Sequence, residues 1–198
     1  MSRSDKPETP PGRVLITEQA IQARVAELGR TIARDYAGRR PAFIGVLQGA
    51  FVFMADLIRA ASIELTTDFI GVASYGAGTT SSGQVRLTSD LAMPIEARDV
   101  LIVEDVVDTG LTLEYLKRNL LLRHPRTVRV CVLVDKVERR RIEVHPDYVG
   151  FVIPDVFVVG YGLDHDGLYR NLPYLAVLER PDGPASPRCV TPEGPVYT

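Results

Sequence analysis

The thirteen residues VLIVEDVVDTGLT (100–112) concentrate the chemistry of this chain. Glu104 and Asp105 stand side by side at the end of an apolar run, Asp108 follows two valines, and Thr109-Gly110-Leu111-Thr112 opens a helical pattern. A helix amino terminus presents unpaired N–H groups and the positive end of its dipole, which suits a phosphate. Thr109, Gly110 and Thr112 are small and can donate hydrogen bonds, so they suit the cradle itself. Two acids at a buried strand end are costly without a partner. Polyol hydroxyls or a phosphate-bound Mg²⁺ would supply one. Taken singly, the acids read as a charged strand end with Asp108 as a helix N-cap. The whole string favours the phosphate chemistry.

These residues need a scaffold, and the surrounding pattern supplies one. Residues 99–105 read as a strand, 111–122 as a helix, and TVRVCVLVDK (127–136) as a second buried strand ending in charge. Upstream, Thr17 can cap a helix carrying Ile21, Val25, Leu28 and Ile32 at helical spacing, which Gly38 and Pro41 end. AFIGVL (42–47) is a strand, followed by Gln48-Gly49 and a helix bearing Phe53, Leu57 and Ile58. Residues 63–72 and 85–90 read as an antiparallel strand pair around the glycine- and hydroxyl-rich loop 74–84. Short strands at 148–152, 156–160 and 174–178 complete the pattern. Continuous apolar strands alternating with helices predict an α/β domain: a mostly parallel twisted sheet with helices on both faces. Ligands bind such sheets at the carboxyl ends of the strands, where Glu104-Asp105 and Asp135-Lys136 fall.

Composition narrows the function classes. In 198 residues the net charge is −2, 45% are hydrophobic and 24% charged, which fits one globular domain and excludes a fibre or a wholly disordered chain. The balance gives no reason to expect nucleic acid or a membrane as partner. No run reaches the ~20 apolar residues of a membrane span. The start, MSRSDKPETPPGR, lacks the apolar core of a secretory signal, and two cysteines, Cys131 and Cys189, make no disulfide framework. A cytoplasmic location is the expectation. Clustered prolines mark 1–12 and 181–198 as expected flexible tails around a domain at 13–180. His124, His145 and His165 are scattered and form no zinc set. No nucleotide P-loop, metalloprotease or nucleophile-elbow motif is present. The basic run Arg139-Arg140-Arg141 reads by default as a solvated loop.

The string 100–112 resembles the phosphoribosyl-pyrophosphate (PRPP) motif of type I phosphoribosyltransferases, and most specifically that of the hypoxanthine-guanine phosphoribosyltransferases. Further matches follow in order: VLQGAFVFMADL (46–57), SYG (74–76), LVDK and its Arg-rich sequel (133–141), and YVGFVIPDVFVVGYGLD…YRNLPYLAVL (148–178). The last segment is the most specific, because in that family it forms a hood over the purine. The resemblance spans roughly 14–180. It implies the sheet described above plus a small hood subdomain built from the N-terminal and 148–178 segments.

The resemblance also implies roles. Glu104 and Asp105 would face the ribose hydroxyls and a PRPP-bound Mg²⁺, with Asp164 as a further metal and purine-side contact. Thr109, Gly110, Leu111 and Thr112 would surround the 5′-phosphate, and Arg170 and the Gln48-Gly49 loop would meet the pyrophosphate. Many relatives carry a basic residue where this chain has Gln48. Asp108 would be the catalytic acid/base at purine N7. Lys136 would donate to the 6-oxo group, Phe157 would stack on the base, and Val158 would offer backbone groups. Ser74 and Tyr75 would begin an active-site lid. The implied reaction joins hypoxanthine or guanine to PRPP, giving a nucleoside monophosphate and pyrophosphate with Mg²⁺ as cofactor, in a homodimer or homotetramer. The alternatives are a PRPP-binding regulator acting on RNA and a transferase preferring xanthine.

Overall fold

The computed structural model describes residues 12–75 and 84–178. The expected tails before Gly12 and over 181–198, and the core of the expected lid loop, lie outside the described residues.

A short strand, β1 (Val14–Ile16), leads into helix α1 (Glu18–Asp35). Thr17 caps it as the sequence predicts, its hydroxyl accepting a hydrogen bond from Ala20 N at 3.2 Å. Then follow β2 (Ala42–Leu47), α2 (Phe51–Ala60), β3 (Thr66–Tyr75) and β4 (Gln84–Ser89). β5 (Asp99–Val107), α3 (Leu111–Leu121) and β6 (Thr127–Asp135) come next, and a 3₁₀ turn covers Val137–Arg139. β7 (Tyr148–Val152), β8 (Val158–Val159) and β9 (Leu175–Val177) end the described chain.

Among the described residues, six strands form one sheet in the order β4-β3-β2-β5-β6-β7. Every pairing in it is parallel except β3 with β4. Alternation along the strands splits the core between the two faces. Leu101, Val103, Cys131 and Leu133 join the cluster beneath α1 and α2, whereas Val100, Ile102, Val130 and Val132 join the one beneath α3. The chain steps outward from β2 to β3 on one side and from β5 through β6 to β7 on the other. The switch point therefore lies between β2 and β5, where open sheets of this class place their ligands.

A second, antiparallel sheet pairs β1 with β9 and β9 with β8. This is the expected hood, but it is smaller than the sequence implies. Residues 148–152 pair in parallel with β6 as the edge of the main sheet, so the hood comprises β1 and the chain beyond Val152. Two boundaries also differ. β5 runs two residues past the acid pair, because Val106 and Val107 continue the ladder with Val134 and Asp135. β3 begins at Thr66 rather than at 63, since its pairing with β2 opens at Ala42.

Candidate active site

The end of β5 carries the acid pair into the sheet rather than out of it. Glu104 pairs with Val132 of β6, its side chain is 8% exposed, and its Oε2 has no hydrogen-bond partner. Burial pushes the Glu104 carboxyl well above its ordinary pKa, and the neighbouring Asp105 charge adds to the rise. Burial also raises Asp105, offset by backbone N–H groups, by its hydrogen bond with Glu104 and by the Arg170 charge. Both shifts point the same way: the pair resists carrying two charges, Glu104 more than Asp105.

Gly49, just past β2 across the switch point, is where the sequence places the pyrophosphate loop. A Cβ there would stand 1.7 Å from Asp105 Oδ2, so only glycine lets this loop lie against the acid pair. Gln48 beside it is exposed, and its carbonyl accepts from Phe51 N at 3.3 Å.

Beyond Val107 the chain turns into α3. The N-cap position is Gly110, with φ +87°, and not Asp108 as the plainer sequence reading has it. A side chain at Gly110 would be strained by that φ and would press within 2.8 Å of Val144 Cγ2. The first-turn N–H groups of α3, at Leu111, Thr112 and Leu113, have no intrahelical acceptor. Thr109 Oγ1 reaches Leu111 N only at 3.5 Å. The carbonyl of Thr109 accepts from Arg141 N at 3.0 Å and Ile142 N at 3.3 Å, which ties the loop after β6 to the cradle.

Asp108 is left off the helix and half-exposed. Arg139 Nε approaches its Oδ1 to 2.9 Å, yet that buried oxygen accepts no aligned hydrogen bond. Lys136 follows β6 directly. Its N–H donates to the Val107 carbonyl at 3.0 Å, and the residue is 7% exposed. Burial lowers the pKa of its ammonium; Asp108 and Asp155 oppose that, and Arg139 adds to it. A largely buried lysine beside two carboxylates is far from the solvated strand-end lysine that its sequence position alone suggests.

The hood supplies the opposite wall. Phe157 is 39% exposed just before β8, its ring meeting His165 edge-on at 5.4 Å between centroids. Its neighbour Val158 is buried in the hood ladder opposite Val177, so only its backbone can face a ligand. Arg170 donates to the Gly162 carbonyl at 2.6 Å and pairs with Asp164 Oδ1 at 2.6 Å. Asp164 Oδ2 accepts from Gly167 N at 2.8 Å. Asp164 is therefore engaged within the hood and stands apart from the acid pair. Among the described residues, no three metal-ligating side chains converge. The backbone of Ser74 and Tyr75 ends β3, and their side chains lie outside the described set.

Sequence reasoning missed the loop arginines. Arg140 forms an ion pair with Asp135 and is 14% exposed at its side chain, and Arg139 joins Asp108 to Asp155. The default of a solvated basic run is overturned for Arg140, whereas Arg139 stays exposed but is paired. The available signal was Asp135, a buried strand-end acid that requires a cation within reach.

Comparison with known proteins agrees with this geometry. A family model for the phosphoribosyl transferase domain matches residues 15–166. The hypoxanthine-guanine phosphoribosyltransferase of Mycobacterium avium is 52% identical over 172 residues, covering 84% of this chain and 85% of that protein. The bifunctional protein TilS/HprT of Listeria monocytogenes (strain F2365) is 47% identical over 167 residues; the match covers 84% of this chain but spans only 26% of that relative's length. A crystal structure of a hypoxanthine phosphoribosyltransferase from Staphylococcus aureus superposes with a TM-score of 0.81 at 44% identity, covering 84% of this chain and 91% of that one. An acid pair at the switch point, a helix-start cradle and a hood over both thus accompany close kinship in sequence and fold, and the chain belongs to the phosphoribosyl transferase family, within its hypoxanthine-guanine phosphoribosyltransferase branch.

Proposed function

We propose that this protein catalyses purine salvage: phosphoribosyl transfer from PRPP to hypoxanthine or guanine, yielding the nucleoside monophosphate and pyrophosphate. The observation that carries the reading is the buried Glu104 carboxyl, whose Oε2 has no protein partner, joined by one short turn to a helix start with free N–H groups. A polyol phosphate answers both needs at once, its hydroxyls meeting the acids and its phosphate meeting residues 109–112.

In this reading N9 of the purine bonds to the anomeric carbon as the bond to pyrophosphate breaks, and the electron pair leaves with the pyrophosphate. Asp108 takes the proton from N7. Its Oδ1, without an aligned donor, has the acceptor capacity for that proton. General base help of this kind is worth ~10²–10⁴-fold. Lys136 donates to the 6-oxo group, and Phe157 offers an exposed ring face to the base. An adenine amino group would leave that ammonium facing a donor. Gly49 and Arg170 receive the pyrophosphate end.

Glu104 and Asp105 fit a divalent cation: both are oxygen ligands, Glu104 is buried and Asp105 half-buried at the sheet end, and Glu104 Oε2 has no protein partner. Bound there, Mg²⁺ supplies positive charge that neutralises the pyrophosphate. Asp164 is held by Arg170 and Gly167 N and would join such a site through its remaining lone pairs. Among the described residues no helix is long and apolar enough to cross a membrane. That fits a cytoplasmic enzyme, and the same reading carries a homodimer or homotetramer.

The test is nucleotide formation from PRPP with hypoxanthine, guanine, xanthine and adenine, each with and without Mg²⁺. Turnover of the first two, lost when Mg²⁺ is omitted, is the expected result. Preference for xanthine would move the specificity at the 2-position. Absence of turnover with any base would overturn the reading, and PRPP binding together with salt-dependent RNA affinity would then identify a regulator.

A further inference from the structure

Arg139 sits on the 3₁₀ turn immediately after Lys136 and reaches two acids from different parts of the molecule. Its Nη1 donates to Asp155 Oδ1 at 3.2 Å, and its Nε lies 2.9 Å from Asp108 Oδ1. Asp155 belongs to the connection between β7 and β8, two residues before Phe157. Asp108 belongs to the connection between β5 and α3. The bond to Asp155 is aligned, whereas the approach to Asp108 is not, since that oxygen accepts no hydrogen bond. Arg139 is thus anchored on one carboxylate and lends only its charge to the other.

Lys136 completes the group. The charges of Asp108 and Asp155 favour its ammonium and that of Arg139 opposes it, so two cations and two carboxylates lie within electrostatic reach of one another. Without the guanidinium, both carboxylates would compete for the ammonium. An ion pair with either would remove Lys136 from any ligand carbonyl in front of it.

We propose that Arg139 is a positioning residue: anchored on Asp155, it occupies the acid pair Asp108–Asp155 so that the Lys136 ammonium stays available to the purine. Of the reacting groups it approaches Asp108 alone, and there it makes no aligned hydrogen bond. The inference rests on the reading that Lys136 and Asp108 face a 6-oxopurine. It assigns a role to a residue of the basic run that the phosphate and pyrophosphate contacts leave unused, and it binds the hood's stacking segment to the catalytic loop through one side chain.

The experiment compares the native chain with Arg139→Ala and with Arg139→Ala/Asp155→Asn, by steady-state kinetics with PRPP and guanine. Removing the guanidinium is expected to raise KM for guanine about tenfold, within the range of coupling between contacting charges, and to leave KM for PRPP within about twofold. Removing the Asp155 charge as well restores the balance of charges and is expected to recover most of that loss. A merely structural arginine predicts otherwise: both KM values shift together and the second substitution makes matters worse, and that result overturns the inference. Failure of the underlying reading shows itself separately, as a native chain that forms no nucleotide. The anchoring is then judged by hydrogen–deuterium exchange, where Asp155→Asn is expected to speed exchange at 108–113, the segment to which Arg139 joins it. Unchanged exchange there overturns the inference.

Discussion

Two acids on the same strand, Asp99 and Glu104, are equally hidden and treated in opposite ways. Asp99, 2% exposed at the start of β5, accepts from Arg126 Nη1 at 2.9 Å and from Thr127 Oγ1 at 2.8 Å, with Arg39 at 3.8 Å. Glu104, near the other end, meets only another acid, and one of its oxygens has no partner. A buried carboxylate ordinarily recruits donors, because leaving it bare costs more than a hydrogen bond gains. The fold does this at the amino end of the sheet and again for Asp135, which pairs with Arg140. It leaves Glu104 bare at the switch point, where Gly49 also keeps a side chain out of the way. Satisfied acids hold the sheet together; the unsatisfied one waits for something from outside.

The comparison can be broken at either end. The largest expected effect is at the carboxyl end: Asp108→Asn should lower kcat by ~10²–10⁴ while PRPP binding survives, because the amide cannot take a proton. Normal turnover would remove Asp108 from the chemistry. Lys136→Ala should cost about 10² in kcat/KM for guanine, since a hydrogen bond to a charged donor is lost, and should erode discrimination against adenine. Unchanged selectivity would take the 6-oxo contact from Lys136.

Asp99→Asn should leave catalysis intact and cost about 2 kcal/mol of stability in urea unfolding, since charge-assisted hydrogen bonds are weakened. A stability within error of the native protein would mean that its arginine partners contribute nothing. The smallest effect has the opposite sign. Glu104→Gln should stabilise the ligand-free protein by about 1 kcal/mol near neutral pH, because a neutral amide is cheaper to bury. It should also abolish stabilisation by PRPP with Mg²⁺. The sign follows from the raised carboxyl: its folded value exceeds its unfolded one, so its contribution is fully present below the ordinary glutamate range. That contribution is lost as pH rises through the elevated value. Ligand-free stability should therefore fall with rising pH across that window, and Glu104→Gln should flatten the fall. A native stability that rises there instead would place the charge, not the proton, on Glu104.

Much of this was legible before any coordinates. The continuous apolar runs of β5 and β6, the Thr17 cap and the string at 100–112 rest on local rules: burial of a strand on both faces, satisfaction of helix-end N–H groups, the smallness a phosphate cradle demands. The misreadings share a cause. The resemblance places residues 148–152 in the hood, but pairing with β6 is a contact between segments that no local pattern encodes. Arg140 reads as solvated because a basic run usually is, and its acid, Asp135, lies at the end of β6. The plainer alternative of Asp108 as a helix cap, which the whole string already outweighs, fails because Gly110, with its left-handed backbone, takes the position.

Sequence by itself determined which residues could bind a phosphate, accept a proton and face a carbonyl, because those capacities belong to side-chain types and to spacing along one strand, turn and helix. Only the tertiary structure decided that Gly49 lies against Asp105, that Lys136 is buried between the cradle and the hood, and that Arg139 joins Asp108 to Asp155. The reason is physical. Whether a charge is solvated, paired or bare depends on what the rest of the chain brings within a few ångströms of it, and strand order at the switch point sets that.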